Sequence, residues 1–291
     1  MSSQERYLTS PDGTTIWAEA VGNPSKPHIV FVHGLACTAL GFDMQFSDPE
    51  MLENLYLVRY EMRGHGRSGK PEKLSDYDSL RYAEDFGTVC DAFGVIKPFV
   101  VGWSLGGCIP VDVVHYFGTD YISGVIYLGG GVLSRKWHPM CTHPVMRGMM
   151  PSLRSLDSTV ASNISTHFIE SCVANPPVDL PFPVLAQCLG GFVLQPPLVR
   201  RLTLDRQQDQ SKWEKEAHVL PCLIIQGTVD SHCLYKIMIR KAREVYDDVD
   251  VMLMEGIGHA PHLEKTKDTN RFILDWVKKT VSQPKYAKSR L

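Results

Sequence analysis

The residues best suited to covalent chemistry in this 291-residue chain lie in Gly102-Trp103-Ser104-Leu105-Gly106-Gly107, a G-x-S-x-G sequence between an apolar run, Pro98 to Trp103, and a helical pattern, Ser104 to Phe117. A serine hydroxyl is a weak nucleophile at neutral pH, so it needs a rigid seat and a base within hydrogen-bond reach. A sharp strand-to-helix turn supplies the seat. Its glycines let neighbouring backbone approach, and the first N–H groups of the helix face any developing negative charge. The expected base is His259, in Gly256-Ile257-Gly258-His259-Ala260-Pro261-His262, because a loop after the last strand can fold back over the sheet edge that carries Ser104. His262 is the fallback, whereas His33, His65, His138, His143 and His167 have no comparable placement. The acid that orients the base is expected at Asp230, just after a strand. The competing segment, Gly129 to Ser134, contains no acid, and a turn-forming, solvated aspartate is the alternative reading of Asp230.

An oxyanion intermediate requires two backbone donors aimed at one point. Leu105, directly after the nucleophile, is expected to supply one, and Leu35, in the loop after His33-Gly34, the other. Cys37 is expected to pack, since no cationic partner that would activate it is evident.

Such a constellation needs a scaffold with several strand ends on one edge. Thr14 to Val21 alternates like a hairpin strand, and His28 to His33, Leu55 to Glu61, Pro98 to Trp103, Ile122 to Leu128, Pro221 to Gln226 and Val249 to Met254 read as short buried strands. Helical patterns at Ser79 to Gly94, Ser104 to Phe117, Leu234 to Tyr246 and Thr269 to Val281 alternate with them. The order predicts an α/β fold, a mostly parallel central sheet with helices on both faces. Strand-like runs vanish between about Ser134 and Glu216, where nine of the 19 prolines occur. Apolar residues there recur at helical spacing, as in Val160, Ile164, Phe168 and Cys172. The expected organisation is therefore a core domain, 1–133 with 217–291, interrupted by a helical cap at 134–216. Cap residues Met146, Met149, Phe168 and Leu189, together with Trp103 beside the nucleophile, are the expected lining of an apolar substrate pocket.

Composition narrows the function classes. A formal net charge of -2 gives no field that would draw the chain onto nucleic acid. The eight cysteines show no C-x-x-C pair and no metal-ligand spacing, so reduced thiols, no metal and no cofactor are expected. No stretch approaches the ~18 apolar residues of a membrane span, and the N-terminus lacks the apolar segment of a secretory signal. A soluble, intracellular protein is expected.

His33-Gly34, Arg63-Gly64-His65-Gly66-Arg67-Ser68, Gly102 to Gly107, Gly227-Thr228-Val229-Asp230 and Gly258-His259-Ala260-Pro261-His262-Leu263-Glu264 occur in an order that resembles the α/β-hydrolase superfamily, specifically its capped, single-domain, serine esterase-like branch. The match runs over Ile16 to Gly131 and Leu220 to Val281 and fails in the cap. Glu61 stands where many relatives have Asp. The resemblance implies a Ser104-His259-Asp230 triad and disfavours epoxide hydrolase and haloalkane dehalogenase chemistry, which uses an aspartate at the Ser104 position. It leaves open ester, thioester, lactone and carbon–carbon bond hydrolysis and perhydrolase chemistry.

The leading expectation is a hydrolase for an ester or thioester of a mostly apolar small molecule. A small-molecule receptor on the same fold, with little or no catalysis, is the rival. The terminal Ser289-Arg290-Leu291 resembles a peroxisomal address, so the import receptor is an expected partner and the peroxisome the expected location, with the cytoplasm otherwise.

Overall fold

The computed structural model describes residues 3–283 and contains an eight-stranded sheet. In chain order the strands are β1 (Gln4–Thr9), β2 (Thr15–Gly22), β3 (His28–Val32), β4 (Tyr56–Tyr60), β5 (Phe99–Trp103), β6 (Gly124–Leu128), β7 (Pro221–Gly227) and β8 (Asp248–Met254). Across the sheet they run β1-β2-β4-β3-β5-β6-β7-β8. β1 and β2 are antiparallel to their neighbours, while β3 through β8 are mutually parallel. β4, β5, β6 and β7 are buried along their whole length and mostly apolar, as parallel strands covered by helices are, with Arg59 in β4 and Gln226 in β7 as polar exceptions.

Two strand expectations change. The hairpin strand β2 is buried from Ile16 to Val21, with the helices Pro49–Asn54 and Ser79–Phe93 packed against it. β1 itself, Gln-Glu-Arg-Tyr-Leu-Thr, carries no apolar pattern. It is an exposed edge strand held by its backbone pairing to β2, a signal that hydrophobic periodicity does not contain.

The chain reverses its direction of progress across the sheet between β3 and β5. β4 lies on one side of β3 and β5 on the other, which opens a crevice at their carboxyl ends. The helix Ser79–Phe93 packs against β1 and β2, and Ile109–Phe117 against β5. The Arg63 turn below the crevice is pinned by buried charge: Arg63 pairs with Asp85 at 2.7 Å and Asp12 at 2.8 Å, and Glu61 with Arg67 at 2.8 Å.

Between β6 and β7 the described chain is helical, with Pro144–Leu153, Ser158–Glu170, Phe182–Val193 and Pro197–Asp205 as its longer helices. A short seam joins this segment to the loop after β7. Thr142 bridges Cys233, the His143 N–H donates to the His232 carbonyl at 2.9 Å, and the Leu234 N–H donates to the Cys141 carbonyl at 2.6 Å. Among the described residues no single helix is long and apolar enough to cross a membrane. Ser289, Arg290 and Leu291 lie outside the described residues.

Candidate active site

β5 ends at Trp103, and a tight 3-10 turn, Ser104–Cys108, leads into the helix Ile109–Phe117. Ser104 sits at φ 51°, a left-handed conformation that costs a non-glycine residue about 1–3 kcal/mol and persists only where the surroundings enforce it. They do so through the glycines. A Cβ on Gly102 would lie 2.6 Å from the Gly107 Cα, and one on Gly106 would lie 2.3 Å from the Val32 carbonyl oxygen. Ala36, at φ 53°, lies in the loop that follows β3, whose Gly34 packs against the Ser104 Cβ. Strained backbone thus frames the serine from both sides.

Asp230 follows β7, and His259 follows β8. The His259 Nδ1 donates to Asp230 Oδ2 at 2.9 Å, which fixes the ring's orientation and tautomer and leaves Nε2 as its acceptor nitrogen. That Nε2 is buried and has no hydrogen-bond partner within the protein, and His259 and Ser104 line the same cavity. Asp230 accepts three further hydrogen bonds. Gln226 Nε2 donates to Oδ2 at 2.8 Å, and the backbone N–H groups of His232 and Cys233 donate to Oδ1 at 2.7 and 3.0 Å. Burial alone would raise this carboxyl, but the charge and hydrogen bond of His259, backed by His232 and Gln226, outweigh it and hold Asp230 at about 2. The carboxylate is therefore ionised at neutral pH.

The His259 loop is clamped from below by Glu264, whose carboxylate accepts from the N–H groups of Gly258, Ala260 and Ala174 at 2.9–3.3 Å. Ala174 belongs to the helical segment, so one side chain ties that segment to the His259 loop. Glu264 was visible only as the last residue of a motif. Trp103 Nε1 donates to the His259 carbonyl at 2.9 Å. Trp103 accordingly props the loop and does not line the cavity at Ser104, contrary to the substrate-binding role expected of it. His262 is buried with its ring 4.5 Å from that of Trp103, and burial, then the His259 ring, pushes it down to about 3. It packs as a neutral aromatic and lines no part of the cavity.

Leu105 begins the turn after Ser104, and Leu35 follows Gly34; both are buried. His33 has a structural task that its sequence position concealed. Its Nδ1 hydrogen-bonds the Gly34 carbonyl at 2.8 Å while its Nε2 accepts from the Met62 N–H at 3.1 Å, which holds the peptide before Leu35 in place.

The cavity at Ser104 measures about 30 Å³, room for about two waters at the ~10–15 Å³ each requires. Its far wall is Trp137, His138, Cys141, Thr142 and Met146 from the helical segment. Of the expected pocket residues only Met146 is among them. Phe168 instead packs between Phe192 and His232, ring centroids 5.9 and 5.5 Å away, and Met149 and Leu189 belong to the packing of the helices on the core. Helical spacing identified an apolar face but not which part of it meets the crevice. His138, set aside at first, lines the wall; burial, then Arg135 and Arg154, lowers it to about 3, so it is neutral there. Sequence reading also passed over His232, which lines the cavity with its ring centroid 4.3 Å from that of His259.

The family model described as alpha/beta hydrolase fold matches residues 27–170. A Mycobacterium tuberculosis protein named probable oxidoreductase EphD is 38% identical over 116 residues, 40% of this chain and 17% of that protein, so the chain spans about a sixth of its length. Rhodomycin D methylesterase DnrP of Streptomyces peucetius is 30% identical over 105 residues, 36% of this chain and 35% of the relative. Among solved structures, a candidate aryl esterase from Burkholderia cenocepacia superposes with a TM-score of 0.85 at 28% identity, covering 96% of this chain and 100% of that one. With its parallel sheet, its strained serine turn and these likenesses, the chain has the α/β-hydrolase fold.

Proposed function

We propose that the protein is a serine hydrolase that cleaves carboxylic esters through an acyl-enzyme, with Ser104 as nucleophile, His259 as general base and acid, and Asp230 as the group that orients His259. The observation that carries this reading is the state of the His259 ring. Nδ1 is engaged by an ionised Asp230, and Nε2 is buried, unpartnered and on the same cavity as a serine held in a strained turn.

In this reading His259 Nε2 takes the Ser104 proton as Oγ attacks the acyl carbonyl. The carbonyl oxygen becomes an oxyanion, stabilised by the N–H groups of Leu105 and Leu35. Collapse breaks the bond to the alkoxide, which leaves with the proton from His259. A water, deprotonated by the same nitrogen, then attacks the acyl-enzyme, releasing the acid and returning the proton to Ser104. The ionised Asp230 on Nδ1 supports this proton shuttle, because it stabilises the imidazolium formed at each step.

The small cavity supports a short acyl group, with the wall residues Trp137 and Met146 setting its length. A fluorophosphonate probe tests the central claim: the folded protein should label promptly, and Ser104→Ala should not. Folded wild-type protein that resists the probe would overturn the hydrolase reading in favour of a ligand-binding protein on the same fold.

A further inference from the structure

Four arginines are buried in the described structure, and three of them face an acid: Arg59 pairs with Glu19 at 2.6 Å, Arg63 with Asp85 at 2.7 Å and Arg206 with Asp112 at 2.6 Å. The fourth, Arg200, is 1% exposed and has no ion pair among the described residues. Its guanidinium reaches backbone carbonyls only. Nε donates to Leu153 at 3.1 Å, and Nη1 donates to Gln195 at 3.1 Å and Phe192 at 3.5 Å, while Nη2 has no partner. One face is covered by the Phe192 ring, 4.2 Å from the guanidinium carbon. Burial, with no neighbouring acid to oppose it, lowers Arg200 to about 10, so it is still a cation at neutral pH. An unpaired buried charge costs several kcal/mol, a cost that the three acid-paired arginines avoid and that packing alone does not recover.

Arg200 forms part of the wall of a cavity of about 290 Å³ within the helical segment, far larger than the space at Ser104 and separate from it. Its lining combines polar residues, Ser158, Ser162 and Gln195, with apolar ones, Ala161, Phe192 and Val193. The N-terminus of the Ser158–Glu170 helix contributes no anion site, since Asp157 already caps it through the Thr159 and Val160 N–H groups. The charge that calls for a partner is therefore that of Arg200.

We propose that this cavity is a second binding site, which takes a small monocarboxylate with an apolar tail, its carboxylate held by the Arg200 side chain in the cavity wall and its tail along Phe192 and Val193. A carboxylate supplies the negative charge that Arg200 lacks. The mixed lining favours a carboxylic acid with a hydrocarbon chain over inorganic phosphate, which would leave Ala161, Phe192 and Val193 without a complementary surface.

The experiment measures thermal unfolding of the full chain with sodium hexanoate, sodium phosphate or sodium chloride at equal ionic strength. Hexanoate should raise the Tm by about 3 °C at roughly tenfold its dissociation constant, with chloride and phosphate giving no comparable shift. Arg200→Met should lose the shift. Should that variant fail to fold, Ser162→Glu decides. It places a fixed carboxylate on an exposed helical position of the cavity wall and should likewise lose the shift while hydrolysing p-nitrophenyl acetate as the wild type does. A shift that survives in Ser162→Glu, a shift with phosphate and none with hexanoate, or no shift at all overturns the proposal. The Tm readout stands whether or not the chain hydrolyses esters, so failure here and failure of the hydrolase reading are separable.

Discussion

The ring of His232 lies against the ring of His259, with centroids 4.3 Å apart and planes inclined by 38°. His232 is itself held from three directions: its Nε2 meets Ser171 Oγ at 2.7 Å, Phe168 covers its other side, and its N–H is bound to Asp230. Burial, followed by the adjacent His259 ring, pushes its pKa well below the usual histidine range, so it presents a neutral ring to the proposed base. His232 is thus a positioning residue, linking the helical segment through Ser171 to the orientation of His259.

His232→Ala should lower kcat by about tenfold, the equivalent of ~1.4 kcal/mol of lost positioning, with KM changed far less. His232→Phe keeps a ring against His259 and should restore most of the loss without moving the pH–rate profile. Equal activity in all three proteins would show that the stack is packing alone.

Ser104→Ala and His259→Ala should abolish ester hydrolysis while leaving the unfolding midpoint near that of wild type. Asp230→Asn should lower kcat on the order of 10⁴-fold, because the amide favours the wrong tautomer of His259. Full activity in Asp230→Asn, measured with p-nitrophenyl acetate, would assign the orienting role to another group.

The cavity at Ser104 holds only about 30 Å³. Overfilling a packed space costs about 1–3 kcal/mol, so kcat/KM for p-nitrophenyl esters should fall by about 10- to 100-fold between acetate and hexanoate. Met146→Ala removes part of the wall and should flatten that decline. A profile rising with chain length in the wild-type protein would show that the helical segment opens a larger pocket in solution.

Burial keeps His33, His65, His232 and His262 below the normal histidine range. In the unfolded chain each takes a proton near pH 6.5, and in the folded chain each resists it, so the unfolded state binds more protons as the pH falls. Stability should therefore decline below about pH 6.5, by up to ~1.4 kcal/mol per pH unit for each histidine that stays neutral. Asp230 acts later: its depressed pKa contributes stability that is present above the ordinary carboxylate pKa and lost only as the pH falls toward about 2. Urea midpoints at pH 8, 7, 6 and 5 check the histidine window, and His262→Phe should reduce the slope. A midpoint constant from pH 7.5 to 5 would contradict it.

The succession of buried strands along the chain and the serine turn were legible because their physics is local. Buried parallel strands require unbroken apolar runs such as Phe99 to Trp103, and the close approaches at Gly102 and Gly106 admit no side chain, so both leave a mark in residue type and spacing. Asp230 and His259 could be placed at strand ends for the same reason, since the sheet edge on which they sit follows from the alternating pattern. The exposed β1 left no such mark because backbone pairing is nearly blind to side-chain type. The stack of His232 on His259, the Glu264 clamp, the identity of the cavity wall and the unpaired charge of Arg200 were decided by tertiary structure alone. Each depends on how the helices between β6 and β7 dock on the sheet edge. Helical periodicity says that Met146, Met149, Phe168 and Leu189 must be covered, but several dockings cover them equally well. Only the packed structure selects Met146 for the cavity and consigns the others to the core.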